Sequence, residues 1–178
     1  TQIKYDNNGN VVESTDECGR ITTYTYDSLN RNKTTTLKVG SDTKITKNEY
    51  TYGSTDVFDG VQCMVVNDAF ITTTYNEKGK ELSKSYVDGN GRTVKELSNG
   101  FYSDYTYDSQ GKVFTTYVSG MNEDDVSKVV GEKLTVTTYD AKGNQTSTIT
   151  NPEITGTQYE VGNDSIVTKK EYDVNGNV

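Results

Sequence analysis

A six-residue phrase, Tyr-Asp-x-x-Gly followed by Asn, Arg or Lys, recurs along the chain, and self-similarity of this kind has to be settled before any fold is assigned. It reads Tyr5-Asp6-Asn7-Asn8-Gly9-Asn10, Tyr107-Asp108-Ser109-Gln110-Gly111-Lys112, Tyr139-Asp140-Ala141-Lys142-Gly143-Asn144 and Tyr172-Asp173-Val174-Asn175-Gly176-Asn177. Looser copies run from Tyr26-Asp27 to Asn30-Arg31 and from Tyr75-Asn76 to Gly79-Lys80. A version one residue longer reads Tyr86-Val87-Asp88-Gly89-Asn90-Gly91-Arg92, and Asp16-Glu17-Cys18-Gly19-Arg20 repeats the turn without its tyrosine. So many copies in 178 residues define a repeat chain and move the functional expectation from catalysis toward architecture.

The phrase has a mechanism. Aspartate at the first turn position accepts a hydrogen bond from the backbone N–H two residues on, forming an Asx-turn. The two variable residues take type I turn angles, and glycine follows at positive φ, where a side chain would clash. The result is a three-residue hairpin with a glycine bulge. Asn30 fits the glycine position because Asn tolerates the left-handed region. Tyrosine becomes the last residue of the incoming strand, and Lys, Arg or Asn opens the outgoing one.

Between these turns lie β-branched and aromatic runs such as Ile21-Thr22-Thr23-Tyr24-Thr25-Tyr26 and Leu134-Thr135-Val136-Thr137-Thr138-Tyr139, which is strand chemistry. Plain turns at Gly40-Ser41-Asp42, Asp59-Gly60, Asn67-Asp68, Asn99-Gly100 and Gly162-Asn163-Asp164 fill the gaps. The expected fold class is all-β: a meander of consecutive hairpins, roughly fifteen strands in an extended, twisted and coiled antiparallel sheet. Residues Glu123 to Glu132 are the one candidate for a short helix, and Pro152 falls in a turn. Alternation puts Phe101, Ser103, Tyr105 and Tyr107 on one face and Tyr102, Asp104 and Thr106 on the other. Paired tyrosines on one face predict a ladder of stacked rings between hairpins. The motif lapses between Tyr52 and Tyr75, where Tyr50-Thr51-Tyr52-Gly53 goes astray after its second tyrosine.

Composition narrows function. Only 31% of the chain is hydrophobic, including 14 tyrosines, so aromatic rings rather than Leu and Ile must supply much of the buried area. A net charge of −8 without a basic stripe argues against nucleic acid as a partner. No run approaches the ~18 apolar residues of a membrane-spanning helix. The chain has no histidine and two cysteines, Cys18 and Cys63, too few of the usual ligands for a zinc site. The thiols are read as unpaired and partly buried, with a disulfide as the alternative. The Asp-x-x-Gly loops resemble calcium loops only superficially, because an EF-hand places its glycine later. No metal or cofactor is expected.

These residues carry a resemblance to the Rhs/YD-repeat family, whose pattern is Gly, a gap, Tyr-x-Tyr-Asp-x-x-Gly-Arg, a hydrophobic residue and a later Gly. The fullest match runs from Gly100 through Tyr105-Thr106-Tyr107-Asp108 and Gly111-Lys112-Val113 to Gly120; Gly19 to Gly40 is nearly as close. Several motif arginines are Asn or Lys here, so no arginine role is carried over. The resemblance covers essentially all of 1–178, read as a single array from the interior of a longer protein. It implies a strip of hairpins spiralling into a hollow shell, as in bacterial toxin complexes and polymorphic toxins, or an adhesion ectodomain, as in teneurins. It also implies a secreted or cell-surface location and a bacterial source.

Three functions are weighed. A non-catalytic scaffold that encloses or displays another part of its parent comes first. The second is an adhesion or carbohydrate-binding module using the tyrosine face. An enzyme comes last, since without histidine it would need paired carboxylates, and many of the aspartates here begin turns. The residues singled out are therefore structural: Tyr5, Asp6, Gly9, Tyr26, Asp27, Asn30, Tyr75, Gly79, Tyr86, Asp88, Gly91, Tyr107, Asp108, Gly111, Tyr139, Asp140, Gly143, Tyr172, Asp173 and Gly176. The expected partners are the remaining repeats and C-terminal region of the parent, or a second copy, because a one-layer sheet leaves a face uncovered.

Overall fold

The computed structural model describes residues 1–121, 129–173 and 176–177. Among them are fifteen strands and no helix. The first seven are β1 (Gln2–Tyr5), β2 (Val11–Thr15), β3 (Ile21–Tyr26), β4 (Asn32–Val39), β5 (Asp42–Phe58), β6 (Cys63–Asn76) and β7 (Glu81–Val87). Then come β8 (Thr93–Ser98), β9 (Phe101–Tyr107), β10 (Val113–Met121), β11 (Val129–Tyr139) and β12 (Gln145–Thr150). The last are β13 (Glu153–Thr155), β14 (Gln158–Glu160) and β15 (Ile166–Lys169). Thirteen of these described strands form one sheet in chain order from β1 to β12, with β15 beside β12; β13 and β14 pair separately. Every register resolved is antiparallel, as expected of strands joined to their sequence neighbours.

Two kinds of turn make the meander. Plain two-residue loops close β4 on β5, pairing Val39 with Asp42, and β8 on β9, pairing Ser98 with Phe101. In the latter Asn99 and Gly100 both have positive φ, 51° and 80°, the Asn-Gly conformation whose twist suits a hairpin. Asp-x-x-Gly turns make most of the other connections, and those preceded by a tyrosine in β1, β3, β9 and β11 shift the register by one residue there, whereas the tyrosine-less Asp16 turn between β2 and β3 does not. In β1, β3 and β11 the shifts fall at Lys4/Tyr5, at Thr25/Tyr26 and at Thr138/Tyr139.

The candidate helix is not formed where it can be seen. Residues 129–132 open β11, where Val130 pairs with Gly120 and Glu132 with Ser119. Cross-strand pairing outweighs a weak local helix preference. The rest of that segment, with the acidic cluster Glu123-Asp124-Asp125, lies outside the described residues.

The chain divides into two compact units: Thr1–Thr51 with Ile71–Lys84, and Tyr52–Phe70 with Ser85–Val178. In the first, Ile71 and Thr73 are the buried described residues. Polar rungs take over the role of a core there: the Asn48 amide donates to the Asn32 carbonyl and Oδ1 at 3.1 Å, and Thr74 donates to Asn48 Oδ1 at 2.9 Å. The second unit buries Val57, Ala69, Val94, Leu134 and Val136 together with Asp104 and Thr115. Cys18 and Cys63 are unpaired, and both are exposed rather than partly buried, one in a turn and one at the start of β6.

Candidate functional site: the turn clasps and the covered row

Eight turns share one hydrogen-bond pattern. The first residue is aspartate at positions 6, 16, 27, 88, 108, 140 and 173, and Asn76 in the remaining turn. Its backbone N–H donates to the carbonyl four residues on at 2.8–3.1 Å, and its own carbonyl accepts from the N–H three residues on at 2.9–3.1 Å. In the first seven along the chain, Oδ1 accepts two further backbone bonds: from the residue two on, as at Asn8, Gln110 and Lys142, and from the residue four on, as at Asn10, Lys112 and Asn144; Asp173 Oδ1 accepts from Asn177. The turn glycines 9, 19, 79, 91, 111, 143 and 176 have φ of 75–85°, and Asn30 takes the same region at 59°. Here the glycine is required by the turn: an L side chain in that region meets the neighbouring carbonyl.

The residue closing each turn has a job that sequence reasoning left to strand opening. Where it is Asn or Arg, its side chain returns to the second carboxylate oxygen. Asn10, Asn144 and Asn177 donate Nδ2 to Oδ2 of their aspartates at 3.0, 3.0 and 2.9 Å. Arg31 and Arg92 donate Nε to Asp27 and Asp88 at 2.7 and 2.9 Å, and Arg20 does so to Asp16. Arg and Asn both reach with an N–H donor, which is why they exchange at this position.

Electrostatics follow from these bonds. The side-chain amide and backbone N–H of Asn10 hold the Asp6 carboxyl below its ordinary range. The backbone N–H of Arg20, Arg31 and Asn144, with their side chains, does the same for Asp16, Asp27 and Asp140. At Asp88 burial pushes upward, but the Arg92 side chain and backbone N–H outweigh it, and the net direction is down.

The repeat tyrosines tie successive turns together. Tyr26 donates its hydroxyl to the Val11 carbonyl at 2.8 Å, Tyr107 to that of Thr93, and Tyr172 to that of Gln145 at 3.0 Å. Each acceptor is the first strand residue after an earlier Asp turn. Tyr50 does the same to Asn32 at 2.6 Å, although no Asp follows it in sequence. Arginine side chains lie over these rings: Arg31 over Tyr50 at 4.3 Å and Arg92 over Tyr107 at 4.6 Å from the ring centres. The ring pairs formed by Tyr52 and Phe70, Phe58 and Tyr117, and Phe114 and Tyr159 each join residues outside the repeat-tyrosine set. The expected tyrosine ladder is thus, at these positions, a chain of hydroxyl–carbonyl ties and arginine stacks. Tyr5, at the end of β1, is 60% exposed; Tyr75 and Tyr86 precede their turns from β6 and β7, and burial raises the pKa of Tyr139 at the end of β11.

Residues 5–41, which hold the first three of these turns, match the family model of the RHS repeat. That segment is an RHS repeat. No curated protein matches the chain. The RHS repeat is a structural unit, and the clasps give the aspartates at positions 6, 16, 27, 88, 108, 140 and 173 a structural role.

One stretch of the chain departs from the turn pattern, and it lies where the motif lapses. The end of β5 runs across the second unit's strands. Lys95, Asp104, Tyr117 and Leu134 are successive register partners on β8, β9, β10 and β11, and so form a row on one face. Residues 56–60 cover that row in order. Lys95 Nζ donates to the Asp56 carbonyl at 2.7 Å, and the Phe58 N–H donates to Asp104 Oδ2 at 2.9 Å. The Phe58 ring meets Tyr117 edge-on at 4.7 Å, and a Cβ on Gly60 would lie 2.3 Å from Leu134 Cδ2. Tyr159 of β14 donates to the Asp59 carbonyl at 3.0 Å. Val57, between the two anchored residues, is 2% exposed. The next row, Thr106–Thr115–Val136, continues the covered face, with the two hydroxyls 2.6 Å apart. Burial, the Glu132 carboxylate and Asp104 together push the Tyr117 hydroxyl far above its ordinary pKa. Among the described residues no three potential metal ligands cluster, and no helix is long and apolar enough to cross a membrane.

Proposed function

We propose that the chain is a wall segment: a non-catalytic part of a β-hairpin shell that encloses or displays another region of a large secreted or surface bacterial protein. The observation that carries this reading is the engagement of the repeat's own groups with one another. Turn carboxylates accept backbone N–H groups and closing side chains, and the hydroxyls of Tyr26, Tyr50, Tyr107 and Tyr172 meet backbone carbonyls. Groups held in this way build a wall and leave little polar chemistry for a substrate. The remaining repeats and the C-terminal region of the parent are its natural partners, with a second copy as substitute when the chain is isolated.

The test is limited proteolysis of the full-length parent. The region downstream of the array should resist cleavage while the array is intact and become cleavable once turn substitutions open it. Equal cleavage in both states overturns the enclosing role. The adhesion reading rests on the exposed rings of Tyr52, Tyr5 and Phe101, at 73%, 60% and 53%. It requires glycan-array or cell-surface binding that is lost when these three are changed to serine.

A further inference from the structure

The Lys95–Asp104 pair is an unusual thing to find under the crossing strand. Its side chains are 19% and 7% exposed, in a unit with few apolar residues to stabilise it. Burying an ion pair costs more than its attraction returns unless every remaining lone pair and proton is satisfied. Here one is not: Asp104 Oδ1 is buried without an aligned hydrogen bond, although Nζ lies 3.0 Å away. Nζ is 3.3 Å from Oδ2 as well, so it stands opposite the carboxyl carbon between the two oxygens.

The other contacts fit a different bonding state. An amide between Nζ and Cγ keeps one N–H donor and one carbonyl acceptor. The structure supplies one partner for each: the Asp56 carbonyl receives from Nζ at 2.7 Å, and the Phe58 N–H gives to Oδ2 at 2.9 Å. Oδ1, which has the ion-pair contact with Nζ but no hydrogen bond, is the oxygen an amide-forming condensation would expel.

We propose that Lys95 and Asp104 form an intramolecular isopeptide bond joining β8 to β9. The ammonium passes a proton to the carboxylate within the pair, leaving amine and acid. The Nζ lone pair attacks Cγ, the Nζ–Cγ bond forms, and Oδ1 leaves with two protons as water. The balance is closed by the two side chains alone. Register pairing on adjacent strands holds the reacting atoms together, an arrangement that can supply effective molarities of about 10⁵–10⁸ M when the atoms are aligned. Cover from Phe58 and Tyr117 keeps bulk water from reversing the step. The product is neutral, which removes the cost of burying two charges.

Intact-mass spectrometry of the purified chain tests this. The bonded protein should weigh about 18 Da less than its sequence, the mass of one water. Protease digestion should yield a branched peptide linking Lys95 to Asp104, with no tryptic cleavage after Lys95. Lys95→Arg and Asp104→Ala should each restore the full sequence mass. Asp104→Asn should give the same branched peptide by loss of ammonia. Full sequence mass in the folded protein after prolonged incubation at neutral pH overturns the proposal. So does a water loss that persists in Lys95→Arg and maps to Asp59-Gly60 or Asp88-Gly89, where succinimides form.

Discussion

Asn76 stands where the other seven clasps carry aspartate, and its amide oxygen accepts the same two backbone bonds, from Lys78 and Lys80 at 3.0 and 2.9 Å. The turn therefore needs an acceptor at Oδ1, while the negative charge serves the closing side chain at Oδ2. That separation gives a pH signature. Asp6, Asp16, Asp27, Asp88 and Asp140 are all held below their ordinary value of 3.8. A carboxyl depressed on folding contributes stability that is present above the unfolded value and lost as pH falls through the folded one. Urea midpoints should thus stay level down to about pH 5 and drop below about pH 4. Asp140→Asn keeps Oδ1 but loses the charge, so its profile should be flatter, lower than wild type at pH 7 and converging with it in acid. A parallel fall of both curves would assign the acid loss elsewhere. Gly111 tests the backbone half of the clasp: at φ 75° with open space around its Cβ position, Gly111→Ala should cost about 1–2 kcal/mol by chemical denaturation, from strain alone. Aspartate and glycine were legible in the sequence because each answers to one local constraint. The closing residue was not, because Arg and Asn look unrelated until both are seen to deliver an N–H to the same oxygen.

At the scale of strands, Tyr26, Tyr107 and Tyr172 each belong to two turns: the one they precede and the earlier one whose outgoing strand they cap. Hence the Tyr-x-Tyr-Asp phrase can lose its Asp and still keep a working tyrosine. Tyr50 shows this, lying under Arg31 with its hydroxyl on the Asn32 carbonyl. Tyr52, the second ring of the same phrase, is 73% exposed beside Phe70. Tyr50→Phe should therefore destabilise by about 1 kcal/mol, the net worth of one hydrogen bond, while Tyr52→Phe should leave the urea midpoint unchanged. Equal effects would show that the carbonyl tie contributes nothing. The strands themselves were readable from β-branched content and turn spacing, down to which residues of β9 share a face. The ties were hidden because a hydroxyl's partner two turns back leaves no trace in local alternation.

For the molecule as a whole, a sheet ordered almost entirely by sequence neighbours has mainly local contacts, and damage at one clasp should stay there. The crossing end of β5 is the exception, since it brings residues 56–60 onto strands up to about seventy positions later. Nothing in the hairpin pattern announces it. The motif simply lapses, and the lapse leaves room for strands of 17 and 14 residues, long enough to carry a tip beyond its own neighbours. The physical requirement behind it is visible afterwards: a chain this poor in apolar residues buries Leu134 by folding the segment that ends at Gly60 over it. A double-mutant cycle separates the local from the long-range contribution. Gly60→Ala meets both a positive φ of 97° and the Leu134 side chain, so it should cost more than Gly111→Ala. Combining it with Leu134→Ala removes the obstacle, and the pair should be less destabilising than the sum by about 0.5–3 kcal/mol. Gly111→Ala with Leu134→Ala shares no contact and should add within about 0.5 kcal/mol. Additivity in the first pair would mean that the tip does not rest on the row in solution, and with it would fall the cover that the second unit's core depends on.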